Sequence, residues 1–257
     1  MAPLISIITV TFNAGATLPA TIKSVEEQTF RDFEYIIVDG KSRDNTLELA
    51  RTCRVSDIRI KSESDNGIYD AMNKGIGMAN GQYLIFLNAG DSFHAPDTLQ
   101  RIADAIRDND APGIVYGQTE LVDSDRNLLG PRHLNAPEVL TYESFKDGML
   151  VCHQAFVVLA KIAPLYDLKY KLSADYDWCI QCLQHSRKNV YIPGVMIDYL
   201  SEGASTQQRR RSLKERFKIM CYYYGTLPTI MRHISFVPRY LANRRRMKSA
   251  QAAINKE

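Results

Sequence analysis

The chain has 257 residues, 45% hydrophobic and 24% charged, ordinary proportions for a globular protein and enough length for one large α/β domain or two small ones. Its net charge of +3 hides an uneven distribution. After Gln207 the chain carries Arg209, Arg210, Arg211, Lys214, Arg216, Lys218, Arg232, Arg239, Arg244, Arg245, Arg246, Lys248 and Lys256 against only Glu215 and Glu257, so the preceding part is acidic. This predicts an acidic body and a basic tail that seeks an anionic surface. The five cysteines are odd in number and scattered, which argues against a disulfide framework. Cys179 and Cys182 have CxxC spacing but no second pair to complete a zinc site, and they read as core thiols. No apolar run of about eighteen residues is free of charge, and the N-terminus lacks a signal-like segment, so a cytoplasmic protein without a spanning helix is expected.

The first half alternates strand-like and helix-like stretches. Leu4–Thr11 is a continuous apolar, β-branched run, the pattern of a strand buried on both faces of a parallel sheet. Leu18–Gln28 follows as a helix with Leu18, Ile22 and Val25 on one stripe, then Phe33–Val38 as a strand. Asp44 caps a predicted helix to Ala50; Ile58–Lys61, Ile68–Ala79 and Gln82–Leu87 continue as strand, helix and strand. Repeated βα units of this length predict a doubly wound, mostly parallel sheet. Pro96–Arg107 reads as a helix, Gly113–Gly117 as a strand and Glu120–Arg132 as a hairpin turning at Asp123-Ser124-Asp125. Beyond it the periodicity weakens, save for a helix over Ser173–His185 and a charged helix over Gln207–Arg216.

In such sheets ligands bind outside the carboxyl ends of the strands. Those ends lead into Thr11-Phe12-Asn13, Asp39-Gly40-Lys41-Ser42, Glu63-Ser64-Asp65-Asn66-Gly67 and Asn88-Ala89-Gly90-Asp91: one polar, acid-rich rim, suited to a polar ligand bound through a cation. Asp91 has two readings: a ligand for Mg²⁺ or Mn²⁺ gripping a diphosphate, or a loop residue that caps the next helix or makes an Asx-turn. Asp39 can accept from a nucleoside or close its own turn. Asp175 and Asp177 lie in the first turn of a helix, where the dipole favours carboxylates; either one could instead be the base beside an acceptor hydroxyl. His153, among Val151, Cys152 and Phe156, reads as a core imidazole or as an acceptor contact.

These runs resemble the family 2 glycosyltransferases. Ile5–Asn13 with Ser24, Gln28 and Asp39–Thr46 is similar to the family's opening, and Asp65-Asn66-Gly67-Ile68-Tyr69-Asp70-Ala71-Met72-Asn73-Lys74-Gly75 to its third-loop signature. Gly81–Asp91, Cys152-His153-Gln154, Ala174–Trp178 and Ser201–Ser205 resemble later blocks in the same order, over roughly residues 3 to 206. The resemblance implies a GT-A fold, a single Rossmann-like nucleotide-binding domain over 1–206, with a basic, amphipathic helical extension over 207–257. It implies a metal-dependent, inverting hexosyl- or N-acetylhexosaminyltransferase using a nucleotide-sugar, UDP by default. Donor contacts fall on Thr11, Asp39, Asp65, Gly67, Asn73 and Asn88, the divalent metal (Mg²⁺ or Mn²⁺) on Asp91, the general base on Asp175, and acceptor contacts on His153 and Asp177. The chain departs from the family pattern at Asn88, the first position of the DxD-type motif, and at Ala174, where the family has Glu.

Two further classes are weighed: a noncatalytic nucleotide-sugar-binding module, and a nucleotidyltransferase. The second lacks support because Thr11-Phe12-Asn13-Ala14-Gly15 has no basic residue to hold a triphosphate; a dehydrogenase lacks GxGxxG there. In the tail, Phe217, Met220, Tyr224, Leu227, Ile230, Met231, Ile234 and Phe236 interleave with Lys218, Arg232, Arg239 and Arg244-Arg245-Arg246. This pattern suits a helix lying in a membrane interface, or one packed on the domain with solvated arginines. The membrane reading goes with a lipid-linked saccharide acceptor in surface-polysaccharide assembly and a peripheral location on the inner face of the cell membrane. No nucleic-acid module accompanies the basic residues, so nucleic acid is not an expected partner.

Overall fold

The computed structural model describes residues 2–201 and 209–234. β1 (Ile5–Thr11) lies at the centre of one half of the sheet, between β2 (Phe33–Asp39) and β4 (Tyr83–Phe86), with β3 (Ile58–Ser62) outside β2. All three pairings are parallel. Every residue of β1 and β2 is buried, which is why these runs are apolar throughout instead of alternating. Their side chains divide by parity: Ile5 and Ile7 face the layer of α1 (Leu18–Glu26), α2 (Thr46–Arg51) and α4 (Thr98–Asp108), whereas Ile8 and Val10 face α3 (Ile68–Met78) and α5 (Ala174–His185). Two cores therefore sandwich the sheet.

The second half of the sheet is mixed. β8 (Phe156–Leu159) runs antiparallel to β4 and to β6 (Ile114–Val122), and β6 pairs in parallel with β9 (Asn189–Leu200). A short β5 (Ser92–Phe93) lies antiparallel on β9, and β7 (Leu128–Pro131) forms the expected hairpin with β6. The parallel expectation thus holds for β3-β2-β1-β4 and for β6-β9. The long strand β9 has no counterpart among the predicted elements because Pro193-Gly194 interrupts its pattern. The register jumps there from Gly117↔Ile192 to Gln118↔Val195, Gly194 takes φ +86°, and the Arg101 guanidinium holds the carbonyls of Pro193 and Val195. A bulge absorbs the two breakers.

α6 (Arg209–Tyr224) is longer than the predicted charged helix and ends where Gly225 adopts φ +85°, a left-handed C-terminal stop; residues 226–234 are helical again. The proposed boundary near residue 206, the Glu202–Ser205 part of the last family block and the Arg244–Arg246 cluster lie outside the described residues.

At the amino ends of the strands, opposite the candidate site, Glu34 is buried and paired in register with Ser6. Its carboxylate accepts from the Ser6 hydroxyl, from the backbone N–H groups of Asn80 and Gly81 and from Arg59. Burial raises its pKa, but these donors and the Arg59 charge outweigh burial and leave it below the ordinary value. A depressed carboxylate contributes stability above its unfolded value, lost as pH falls through the folded one. Glu34→Ala should destabilise the protein by about 3 kcal/mol, since it strands buried N–H groups and removes one partner of a buried pair. Denaturant unfolding at pH 7 measures this; a loss below about 0.5 kcal/mol, the scale of ordinary surface changes, would contradict the assignment.

Candidate active site

The register Thr11↔Asp39↔Ser62 sets the ends of β1, β2 and β3 in one row. Asp39 receives four hydrogen bonds there: from the Thr11 hydroxyl at 3.1 Å, the Ser62 hydroxyl at 2.6 Å, the Ser42 backbone N–H at 3.1 Å and the Ser42 hydroxyl. Burial pushes its pKa up, and the Ser42, Ser62 and Thr11 donors more than reverse that. Asp39 is therefore an ionised carboxylate whose accepting capacity is filled by three hydroxyls and a backbone N–H. Asp65 arches over the same turn: a Cβ on Gly40 would lie 2.4 Å from Asp65 Oδ2 and 3.3 Å from the Phe12 ring, so position 40 must be glycine for this approach. Asp65 Oδ1 accepts the Gly67 N–H at 2.9 Å, and Gly67, with φ +113°, starts α3. Phe12, which the sequence reasoning passed over, is 66% exposed at this edge, an aromatic face open beside two carboxylates.

From Gly67 the chain leads directly to Asp175. Tyr69, in the first turn of α3, donates its hydroxyl to Asp175 Oδ1 at 3.2 Å, and the Tyr176 backbone N–H donates to the same oxygen at 2.9 Å. No donor among the described residues reaches Asp175 Oδ2. The Thr11–Asp39, Asp65–Gly67 and Tyr69–Asp175 contacts follow one another along the rim, the first two meeting where Asp65 approaches Gly40 and the last two joined by the backbone through Ile68.

Three of the expected contact residues have partners within the fold. The Asn73 amide brackets the backbone of Tyr166, donating to its carbonyl at 3.0 Å and accepting its N–H at 2.7 Å. His153 is a core imidazole: it is buried, its Nε2 shares a 2.6 Å hydrogen bond with the Tyr166 hydroxyl, and its ring packs on Phe86 and Trp178. Burial lowers its pKa to about 4, so the ring is neutral at pH 7. Asp177 is also buried, accepting from Tyr223 of α6 at 3.0 Å and from Gln181 at 2.7 Å. That carboxylate docks the C-terminal helix.

Asp91 is likewise engaged within the fold. It is 3% exposed, and both oxygens are engaged, Oδ1 by the Leu200 N–H at 2.9 Å and Oδ2 by Gln154 Nε2 at 2.8 Å. Arg126 holds the adjoining Gly90 carbonyl at 2.6 Å. Burial raises the Asp91 pKa to about 7 against these donors. Asp91 fastens the loop to β9, with both oxygens bonded within the fold. Asn88 Oδ1, also buried, has no hydrogen-bond partner among the described residues and is an amide oxygen of the kind that hard cations such as Mg²⁺ and Mn²⁺ take.

A sequence model of glycosyl transferase family 2 matches residues 6–162. The chain belongs to this family. It is 36% identical over 191 residues to the PGL/p-HBAD biosynthesis glycosyltransferase of Mycobacterium bovis, covering 72% of this chain and 71% of that one. S. aureus TarS superposes with a TM-score of 0.71 over 92% of this chain and 73% of TarS, at 16% identity. The mannosyltransferase PcManGT of Pyrobaculum calidifontis, solved with GDP-Man and Mn²⁺, gives a TM-score of 0.63 over 99% and 81%, at 14% identity. The fold is GT-A, as the sequence blocks imply, and the protein is a glycosyltransferase. Of the residues that family blocks did not single out, Ser42 and Gln154 lie within quoted runs, whereas Tyr166 sits in a loop with no sequence signal.

The pKa of Asp91 gives this glycosyltransferase a pH signature. A carboxyl raised from 3.8 to about 7 contributes stability fully present below the unfolded value and lost as pH rises through 7. Asp91→Ala should remove that slope and cost about 1–3 kcal/mol by stranding the Leu200 and Gln154 donors. Mn²⁺ alone should leave the wild-type slope unchanged in thermal unfolding from pH 4 to 8. A slope flattened by Mn²⁺ without nucleotide would make Asp91 a ligand.

Proposed function

We propose that this enzyme inverts configuration while moving a sugar from a nucleoside diphosphate sugar to a hydroxyl of a saccharide acceptor. The observation that carries the reading is Asp175: one oxygen held by two donors, the other open, at the end of the contacts that begin at Asp39. The nucleoside would bind at Asp39 and Asp65, its hydroxyl or imide replacing a serine hydroxyl on Asp39, with the base against Phe12. We assign a UDP-sugar on the precedent of TarS, solved with UDP and UDP-GlcNAc. A divalent cation, as in the mannosyltransferase complex, would be held by Asn88 and the donor's phosphates, and would neutralise charge on the leaving diphosphate.

The chain's own step is proton removal. Asp175 Oδ2 takes the acceptor hydroxyl proton as that oxygen bonds to the anomeric carbon, and the bond to the diphosphate breaks with its electron pair leaving on the diphosphate. The sugar is attacked from the face opposite the leaving group, so one displacement inverts it. Asp175→Asn should lower kcat by about a hundredfold or more with donor Kd within about twofold, since the base acts on the acceptor in the transition state. Release of nucleoside diphosphate and calorimetry with donor measure the two quantities. Unchanged turnover would remove the base from Asp175 and revive a noncatalytic or differently built site.

The C-terminal helices support a lipid-linked acceptor. α6 packs on the domain through buried Ser212, Ile219 and Met220, as the packing alternative expects. Tyr222, Leu227, Met231 and Ile234 are nonetheless 60–75% exposed, and the exposed Arg210, Arg211, Lys214 and Lys218 lie on the same helical extension. No described helix is long and apolar enough to cross a membrane. Apolar residues interleaved with cations suit an interfacial position on an anionic leaflet. The protein should co-sediment with phosphatidylglycerol-containing vesicles at low salt and release at high salt, and Leu227→Ser/Met231→Ser/Ile234→Ser should stay in the supernatant. Equal recovery with neutral and anionic vesicles would contradict this.

A further inference from the structure

The turn that carries Asp65 and Gly67 delivers more than a donor-facing edge. It places Tyr69 in the first turn of α3, 8% exposed, with its hydroxyl on Asp175 Oδ1. Burial, and then the charge of Asp175, holds the phenol far above its ordinary pKa, so it keeps its proton and always donates. The ring cannot swing away. It stacks on Tyr166 at 5.5 Å and 26°, and Tyr166 stacks on Trp178 at 5.1 Å and 15°. Tyr166 is locked in turn, its backbone by Asn73 and its hydroxyl by His153. Trp178 is tied to the Pro164 carbonyl at 2.7 Å.

Oδ1 of Asp175 therefore has two fixed donors, Tyr69 and the Tyr176 N–H. A carboxylate free to rotate would present either oxygen to the acceptor and lose time in unproductive orientations. With Oδ1 bound twice, only Oδ2 remains for a proton. We propose that Tyr69 is a positioning residue for the base, turning Oδ2 of Asp175 to the acceptor hydroxyl, and that Asn73 and His153 act on the reaction through Tyr166. The inference rests on the reading of Asp175 as the base. The titratable and charged groups around this contact are Tyr69 of α3, Tyr166 and His153 from the connecting loops, Cys179 of α5, and Arg216 of α6, whose charge reaches Tyr69.

Tyr69→Phe keeps the ring and its stack while removing the hydroxyl. We expect kcat to fall about tenfold or more, the scale of one hydrogen bond to a charged group, with donor Kd unchanged. The loss should fall on kcat, with the donor KM unchanged. Asn73→Ala should show the same pattern more weakly. Full-length protein, donor and a saccharide acceptor suffice, with thermal unfolding as the control for folding. If Asp175→Asn is inactive while Tyr69→Phe stays within twofold of wild type, or loses donor affinity along with rate, the positioning role is overturned and the base assignment survives. If Asp175→Asn retains turnover, both fall together.

Discussion

Parallel pairing of β2 with β1 on one side and with β3 on the other forces three strand ends onto one rim, because parallel neighbours share their direction. The in-register row Thr11–Asp39–Ser62 is the direct product of that geometry. A hydrogen-bonded cup for a carboxylate follows without any side chain having to reach far. The opposite rim shows the converse solution, where Glu34 collects donors from β1, from Arg59 on β3 and from the turn before β4 and locks the strands' starting points. One end of the sheet is closed by a satisfied charge and the other is left for a ligand.

The carboxylates near the site are sorted by how their oxygens are used. Asp39 has four donors and is held below its ordinary pKa, and Asp91 has two and is pushed up to about 7 by burial. Burial also raises Asp177 despite its bonds to Tyr223 and Gln181. Desolvation and hydrogen bonding oppose each other in all three, and the balance of burial depth against donors sets the direction. Asp175 is part-exposed with an oxygen to spare at the start of α5, the condition that a base must meet.

The C-terminal helix serves both sides of itself. Its Glu215 carboxylate caps the backbone N–H groups of Lys171 and Leu172, and its Ser212 meets Ser173, so α6 fixes the segment that leads into α5 and Asp175. Tyr223 adds the bond to Asp177. A contact made by the outer face of this extension with a surface would therefore be made by a body joined to the segment that carries Asp175.

The amino-acid sequence by itself determined the α/β class, β1 to β4 with their helices, the family, and the rim on which Asp39 and Asp65 stand. Buried parallel strands write themselves as unbroken apolar runs, and strand-end turns as Asp, Asn and Gly, so local chemistry is enough. It missed β9 because Pro193-Gly194 looks like a break unless β6 is known to lie alongside and accept a bulge. It could not sort Asp91, Asp175 and Asp177, which look alike in sequence at turns and helix starts. Their partners, Leu200, Gln154, Tyr69 and Tyr223, lie between 46 and 109 residues away. Only tertiary packing brings those donors in, and it is the donors that fix which carboxylate holds the fold and which is left with an oxygen for chemistry.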